Sequence, residues 1–349
     1  ALMDEILALR HEAAELVGYE NYAAYSLATK MARDSTEVLE FLHHLARVSR
    51  PAAGREFEEL EALAGRKLAA WDVGFYSEIM KHERLEVSEE ALRPFFPLPR
   101  VLAGLFTVVS RLYGVRAVAR ADAKVYHPDV RYFDLVDRDG TPRAGFFLDL
   151  YARPNKRGGA WMDECVGRIG LGDESALPVA YLVCNFMPPV GQRPSLLTHY
   201  DVVTLFHEFG HGLHHMLTRV DYPSVSGIHG VPWDAVELPS QFMENFAWRE
   251  EVLPLISAHV DTGEPLPIDT LRRLQATRTF LAGMQTVRQL EFALFDLRIH
   301  AEYAPDSGAR IEQTLAEVRD EVAVVQPPEF NRFPHSIQHI FSGGYAAGY

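Results

Sequence analysis

Two histidines and a glutamate near the middle of the chain have the types and spacing of a metal-dependent hydrolytic site. His207, Glu208 and His211 lie in the run His-Glu-Phe-Gly-His. Residues four positions apart share one face of an α-helix, so both imidazoles can bind one ion. Zinc suits this set, because two imidazoles and one carboxylate leave a fourth tetrahedral position for water. Zinc lowers the pKa of that water, and Glu208 can act as its general base.

The segment around these residues is predicted to be a helix. Its apolar residues recur at helical spacing with no proline between them: Val203, Phe206, Leu213 and Leu217. Thr198 and Asp201 resemble a capping box, which predicts that the helix begins there. Gly210 and Gly212 each cost about 1 kcal/mol relative to alanine inside a helix. We therefore expect another part of the molecule to approach this backbone closely.

The spacing leaves the third metal ligand open between two glutamates. His214 would lie about 10 Å along the axis from His207, too far to share the ion, so we interpret it as a packed or hydrogen-bonded histidine. Further on, Glu237 and Glu244 share a face if they lie on one helix. Pro239 predicts that this helix begins or kinks near Glu237. One glutamate can ligate the metal while the other orients a histidine.

The combined pattern resembles the signature of the thimet oligopeptidase family of zinc metallopeptidases. The run from 207 to 214 is followed by Asp-x-Val-Glu-x-Pro-Ser-Gln at 234–241. Blocks that look like this family also occur at 145–151, 156–160 and 342–345. The resemblance covers essentially the whole chain. It implies that Glu237, before the Pro-Ser-Gln triplet, is the third zinc ligand, and it leaves Glu244 as the outer partner of a histidine.

The last stretch of the chain is dense in glycine and in hydrogen-bond donors. Taken alone it could be a flexible loop, or its donors could stabilise the oxyanion that forms when water attacks a peptide carbonyl. The resemblance implies that His339, Tyr345 and Tyr349 line the active site and that Gly343 and Gly344 contact substrate. Members of the family carry a further tyrosine three positions later and extend at both ends. The resemblance thus implies a piece of a catalytic unit.

Helical patterns occur on both sides of a strand-rich stretch. They predict helices at 2–17, 21–31, from 34 to an interruption at Pro51, from there to Gly65, and at 101–113, 269–303 and 309–325. Strands are predicted at 124–127, 131–136, 144–151 and 178–186. The expected fold is mainly α with a small β-sheet (α+β), a zincin-like fold with a glutamate third ligand. We expect one incomplete catalytic unit over 1–349, with helices in 1–120, the sheet in 121–190 and the zinc-site helices and terminal loop in 191–349.

The sheet is expected beside the zinc helix. There an edge strand could hold an extended peptide by backbone pairing, although a purely structural sheet is an equal alternative.

Composition excludes several other functions. The net charge is −14 with no basic stripe, which argues against nucleic-acid binding. Gly158 and Gly159 lack the context of a phosphate loop, so no nucleotide is expected. No run is long and apolar enough for a membrane helix. Cys165 and Cys184 have no paired spacing, which predicts reduced thiols and a cytoplasmic location.

We therefore predict a zinc endopeptidase, with one zinc ion per chain, that cleaves internal bonds of short unstructured peptides. The oligomeric state stays open, with a monomer favoured. Two other interpretations stay open. A zinc carboxypeptidase or dipeptidase could use the same ligands, but it would need a cationic pocket for the terminal carboxylate. Alternatively, this piece binds zinc and peptide without turnover, because parts of the catalytic unit are missing.

Overall fold

The computed structural model describes residues 1–86, 88–171 and 174–349. It is mainly helical with a small mixed sheet, which confirms the predicted fold class at that level. The chain forms two compact units, one of residues 1–86, 232–235 and 276–349, the other of residues 87–231 and 236–275. Among the helices of the described residues, none is long and apolar enough to cross a bilayer.

The first unit is built from helices that pack around two long central ones. Buried Leu290 and Leu294 of one long helix pack against Ala46 of the other. A second apolar cluster surrounds Leu7 and Phe295. The helices are α1 (Leu2–Leu16), α2 (Tyr22–Leu27), α3 (Ser35–Ala64), α4 (Val73–Leu85), α11 (Ala282–Ala301), α12 (Ile311–Val322) and α13 (Gln338–Phe341).

The predicted interruption at Pro51 is wrong, because α3 continues through this proline from Ser35 to Ala64. A proline inside a helix removes one backbone hydrogen bond and crowds the preceding turn. The next turns pack tightly enough to offset this cost. Ala53 is buried, and a Cβ on Gly283 of α11 would lie 2.7 Å from the Ala53 nitrogen. Tertiary packing against α11 therefore overrides the local signal.

The single helix predicted over 269–303 is also wrong. The structure has two helices there, α10 (Ile268–Ala276) and α11, separated by a segment in which Leu281 adopts a left-handed conformation with φ 51°. The Glu56 carboxylate accepts hydrogen bonds from the amides of Gly283 and Met284 and so caps α11 from a distant part of the sequence. An apolar pattern that continues across the break does not reveal such a cap.

The second unit contains a five-stranded sheet of order β1-β2-β3-β7-β4 and a two-stranded β5-β6 pair. In the larger sheet β3 and β7 are parallel and the other neighbours are antiparallel. The strands are β1 (Arg116–Ala119), β2 (Arg131–Val136), β3 (Pro142–Tyr151), β4 (Trp161–Val166), β5 (Ile169–Leu171), β6 (Glu174–Ala176) and β7 (Val179–Phe186). The strand predicted at 124–127 is wrong. This segment is an irregular loop with a bend, and the Tyr126 hydroxyl donates to the buried Asp149 carboxylate.

One long helix, α7 (His199–Met216), packs on this sheet beside α6 (Leu98–Tyr113). Phe209 of α7 contacts Phe106 of α6 and Phe146 of β3 edge to face or at a tilt. The predicted capping box is present, since the Thr198 hydroxyl accepts from the Asp201 amide and the Asp201 carboxylate accepts from the Thr198 amide. The remaining helices of this unit are α5 (Glu89–Leu92), α8 (Leu238–Glu244), α9 (Leu253–Ile256) and most of α10.

Candidate metal centre

Helix α7 presents His207 and His211 side by side, with ring centroids 4.9 Å apart. The start of α8 runs directly against this part of α7. A Cβ on Gly210 would lie 2.5 Å from the Pro239 carbonyl oxygen and 2.6 Å from the Ser240 Cα. Any larger residue at position 210 would clash with this backbone. Gly210 therefore allows the start of α8, and with it Glu237, to lie close to the two histidines.

Three donor atoms converge beside this contact. The Glu237 Oε2 atom lies 3.2 Å from His207 Nε2 and 3.0 Å from His211 Nε2, and all three lie within 4.8 Å of one another. Among the described residues, no other group of three histidine, cysteine or acidic side chains meets this criterion. Two imidazole nitrogens and one carboxylate oxygen are a donor set that fits zinc.

The other ring nitrogen of His207 is held by Glu244. Its Nδ1 atom lies 2.7 Å from Glu244 Oε1, so Nδ1–H donates to the carboxylate and Nε2 faces Glu237. A histidine oriented by an outer carboxylate in this way is typical of metal sites. The spacing left Glu237 and Glu244 as alternatives, and the structure places them on opposite nitrogens of the same ring.

The cluster favours positive charge. Burial lowers the pKa of His207, but hydrogen bonds to Glu237 and Glu244 outweigh this effect and raise the pKa to about 10. Hydrogen bonds from His207 and His211 hold the pKa of Glu237 far below its usual range. The two carboxylates thus favour a proton on His207, and a metal ion bound at Nε2 of this ring would displace that proton.

Glu208 lies in a different environment from Glu237. Its side chain is buried, and burial raises the pKa of its carboxyl, while the nearby His207 and His211 act in the opposite direction. The amide of Met162 in β4 also donates to it. Its Oε2 atom has no hydrogen-bond partner among the described residues. A buried carboxyl with a raised pKa and a free oxygen has the properties of a general base.

Sequence analysis missed Ser240, which supports the same carboxylate. Its hydroxyl lies 2.9 Å from Glu237 Oε2 and from the Glu237 carbonyl oxygen. The available signal was the spacing of three residues from Glu237, which brings the two side chains together across the first turn of α8. His214, in contrast, lies outside the three-donor group, and its Nδ1 atom has no hydrogen-bond partner among the described residues. Its half-buried ring takes no part in the three-donor group.

The other predicted site residues lie in the first unit and form an aromatic group. His339, Tyr345 and Tyr349 have ring centroids 6.0 to 6.3 Å apart. Gly343 approaches the backbone of His339, because a Cβ there would lie 2.8 Å from the His339 carbonyl oxygen. A Cβ on Gly344 would only touch the Trp233 ring, at 3.4 Å.

The model of "Peptidase family M3" matches residues 1–349. The chain belongs to peptidase family M3. This agrees with the family that the sequence motifs indicate. The M3 chain is 56% identical over 354 residues to "Oligopeptidase A" of Escherichia coli strain K12, an alignment that covers 100% of the chain and 52% of that relative.

Two further relatives are more distant. The M3 chain is 45% identical to "Organellar oligopeptidase A, chloroplastic/mitochondrial" of Arabidopsis thaliana, over the whole chain and 46% of that protein. It is 38% identical to "Dipeptidyl carboxypeptidase" of Salmonella typhimurium strain LT2, over the whole chain and 52% of that protein. The chain thus spans about half the length of the curated relatives it matches.

A solved structure also has a related fold. "PZ PEPTIDASE A with inhibitor 2" superposes with a TM-score of 0.56 at 14% identity, over 99% of the M3 chain and 51% of that chain. At this identity the similarity concerns the fold alone.

Proposed function

We propose that this chain carries the zinc centre of an M3 endopeptidase that cleaves internal bonds of short, unstructured peptides. The observation that carries the proposal is the convergence of His207 Nε2, His211 Nε2 and Glu237 Oε2. A helix with the His-Glu-x-x-His run and a glutamate from a following helix corresponds to the gluzincin arrangement. Family membership supports the same chemistry.

In this proposal the ligands are His207, His211 and Glu237. Zinc bound there would polarise the scissile carbonyl and lower the pKa of a water molecule. Glu208 accepts the proton of the attacking water and passes it to the leaving amine. Burial raises the pKa of its carboxyl, which makes it a stronger proton acceptor than an exposed glutamate. Glu244 keeps the His207 ring in the orientation in which Nε2 faces Glu237 and would be available to the metal.

The terminal aromatic group is assigned by resemblance to the family. In the proposal, His339, Tyr345 and Tyr349 stabilise the oxyanion, and Gly343 and Gly344 contact the peptide backbone. The proximity of the three rings supports a shared role. Strand β4 is an edge of the sheet and donates a backbone hydrogen bond to Glu208, which supports the pairing of an extended substrate along it.

We further propose a monomeric, cytoplasmic enzyme in which 1–349 belongs to one catalytic unit. The free state of Cys165 and Cys184 is consistent with a reducing compartment.

One observation favours a second candidate, an exopeptidase that releases residues from the C-terminus. The chain is 38% identical to a dipeptidyl carboxypeptidase. Such an enzyme needs a cation that binds the substrate's terminal carboxylate. A third candidate binds zinc and peptide without turnover.

The test is hydrolysis of an internally quenched peptide, with zinc content measured on the same sample and Glu208→Gln as control. We expect one zinc per chain in both proteins and cleavage only with Glu208. Stoichiometric zinc without cleavage would favour the non-catalytic candidate, and absence of both from folded protein would refute the zinc proposal. A peptide pair with free or amidated C-terminus separates the two enzymes, because amidation blocks only the exopeptidase.

A further inference from the structure

The terminal loop, residues 342–349, is bound by polar side chains from elsewhere in the first unit. Asp296 on α11 lies at the centre of these contacts and is 0% exposed. Its Oδ1 atom accepts from the Ala347 amide at 2.9 Å. Its Oδ2 atom accepts from the Gly348 amide at 2.9 Å and the Tyr349 amide at 3.0 Å. One carboxylate thus binds three consecutive backbone amides.

The loop backbone has a conformation that requires such a partner. Ala347 adopts a left-handed conformation with φ 49°, which is unfavourable for alanine. Successive amides around a left-handed residue form a concave nest that binds an anion. Asp296 supplies this anion from within the chain. Its contacts stabilise a backbone turn that the residues of the loop do not favour by themselves.

Arg10 binds the segment that precedes Gly343 and Gly344. Arg10 donates to the carbonyl oxygens of Ile340 at 2.7 Å and Phe341 at 3.0 Å, directly after His339. It also donates to His300 Nε2 at 2.9 Å, so His300 Nδ1–H donates to the Asp296 carbonyl oxygen at 2.8 Å. Arg10 and Asp296 are therefore linked through one buried imidazole.

Two donors bind the carbonyl oxygens that follow Tyr345. The Ser26 hydroxyl donates to the Ala346 oxygen at 2.9 Å. The Lys30 ammonium group lies 3.4 Å from the Ala347 oxygen and donates to Ser26. We call these five side chains the polar clamp: Arg10, Ser26, Lys30, Asp296 and His300.

We propose that Asp296, with the polar clamp around it, is a positioning residue that fixes the aromatic donors of α13 and the terminal loop for catalysis. The inference rests on the proposed function, in which His339, Tyr345 and Tyr349 act on the oxyanion. Tyr349 is attached to one of the three amides that Asp296 binds, and Tyr345 lies two residues before another. The His339 ring precedes the carbonyls that Arg10 binds. Loss of the clamp therefore displaces all three rings without touching the metal ligands.

The test uses the zinc-loaded protein and the variant Asp296→Asn. An amide keeps the shape of the side chain but replaces one acceptor oxygen with a donor, so it cannot accept all three hydrogen bonds. We expect kcat to fall about 10- to 100-fold, as for misplaced transition-state donors, with KM within about twofold. Zinc content should stay at one per chain, and hydrogen exchange at the amides of 347–349 should accelerate.

Glu56→Gln is the matched control. This carboxylate also accepts from two backbone amides, but it does so at the other end of α11, roughly 20 Å away at 1.5 Å per residue. The Glu56→Gln variant should have a lower free energy of unfolding, but its kcat and the hydrogen exchange of the loop amides should not change. A fall in kcat that is equal in both variants would show that Asp296 acts only through general stability and would overturn the proposal.

Three further outcomes are decisive. Faster exchange at the loop with unchanged kcat in Asp296→Asn would refute the positioning role while leaving the proposed function intact. An inactive wild type would refute the proposed function itself. If Asp296→Asn does not fold, Ser26→Ala, which removes one hydroxyl from the same loop, must lower kcat without lowering zinc content, and an unchanged kcat would refute the clamp.

Discussion

At the scale of single residues, three glutamates around α7 carry the same side chain in three different environments. Glu237 is hydrogen bonded by two histidines and Ser240, and its carboxyl pKa is strongly lowered. Glu208 is buried with a free oxygen, and its carboxyl pKa is raised. Glu244 binds the far nitrogen of His207. The three environments support the different roles that we propose for these chemically identical groups, namely a ligand, a base and an orienting partner.

Replacing the general base should separate chemistry from metal binding. In Glu208→Gln we expect zinc to stay bound and kcat to fall about 10²- to 10⁴-fold, because the amide cannot accept the proton of water. Peptide hydrolysis and zinc content measured on one sample check this. A variant that cleaves at the wild-type rate would remove Glu208 from the mechanism.

The two remaining glutamates should differ in how strongly they affect zinc affinity. Glu237→Ala and His211→Ala should lose stoichiometric zinc, because each removes a direct donor. Glu244→Ala should retain zinc with an affinity about 10- to 100-fold lower, as for other outer partners of ligating histidines. Competition with a chelator gives the affinities. The opposite order for Glu237 and Glu244 would exchange their roles.

At the scale of elements, the site depends on the contact between α7 and α8. The Pro239 carbonyl and the Ser240 backbone lie where a side chain at 210 would be, so the first turn of α8 passes close to the histidines. Gly212 faces only the flexible ends of the Leu182 and Met216 side chains, from which a Cβ would lie 2.9 and 3.4 Å away. The two glycines in one helix therefore have different structural roles.

Alanine substitutions should separate these roles. Gly210→Ala places a Cβ against backbone and should cost about 1–3 kcal/mol of unfolding free energy, with weaker zinc binding, because Glu237 moves away. Gly212→Ala should cost less, since a side chain can shift. Gly54→Ala on α3, where a Cβ meets nothing within 4 Å, should be stabilising by up to about 1 kcal/mol. Chemical denaturation measures the unfolding free energy of the three variants, and zinc titration measures their metal affinity. Equal zinc affinity in Gly210→Ala and wild type would contradict the role of Gly210 in placing Glu237.

At the scale of the whole molecule, the two units each bury an acidic residue that holds backbone in place. In the first unit this is Asp296. In the second unit it is Asp149 on β3, which pairs with Arg153 and Lys156. The Lys156 ammonium also donates to the carbonyl oxygens of Tyr151 and Cys184 and so fixes the connection that leads to β4. The buried charge of Asp149 connects the stability of the second unit to pH.

Asp149 should make the second unit sensitive to acid. Burial raises the pKa of Asp149, but Arg153 and Lys156 outweigh it and lower the pKa to about 2 from 3.8. Because the folded-state pKa is depressed, the stabilisation is present above pH about 4 and is lost as the pH falls toward 2. Asp149→Asn should therefore cost roughly 2 kcal/mol at pH 7 and much less near pH 2.

Denaturant unfolding at several pH values measures this difference. The control is Asp122→Asn, which changes an exposed carboxylate paired with Arg120 and should leave the free energy of unfolding nearly unchanged at every pH, because solvent screens exposed ion pairs. A penalty for Asp149→Asn that did not depend on pH would show that its charge contributes little.

The sequence by itself determined the features that depend on near neighbours. The periodicity around His207 and the Thr198 capping box specify α7, because helical contacts span only three or four residues. The family could also be recognised from the sequence, because each of its motifs is a contiguous run of residues. The same reasoning failed at Pro51, where local chemistry predicts a break that packing against α11 overrides.

Only the tertiary structure decided which distant groups meet. Spacing left Glu237 and Glu244 as alternatives, and the approach of α8 at Gly210 puts one on each side of the His207 ring. Nothing in the pattern of α11 distinguishes Asp296 from a surface acid, yet it binds three amides some fifty residues further along the chain. Contacts of this kind depend on how separate elements pack, and local periodicity carries no information about that packing.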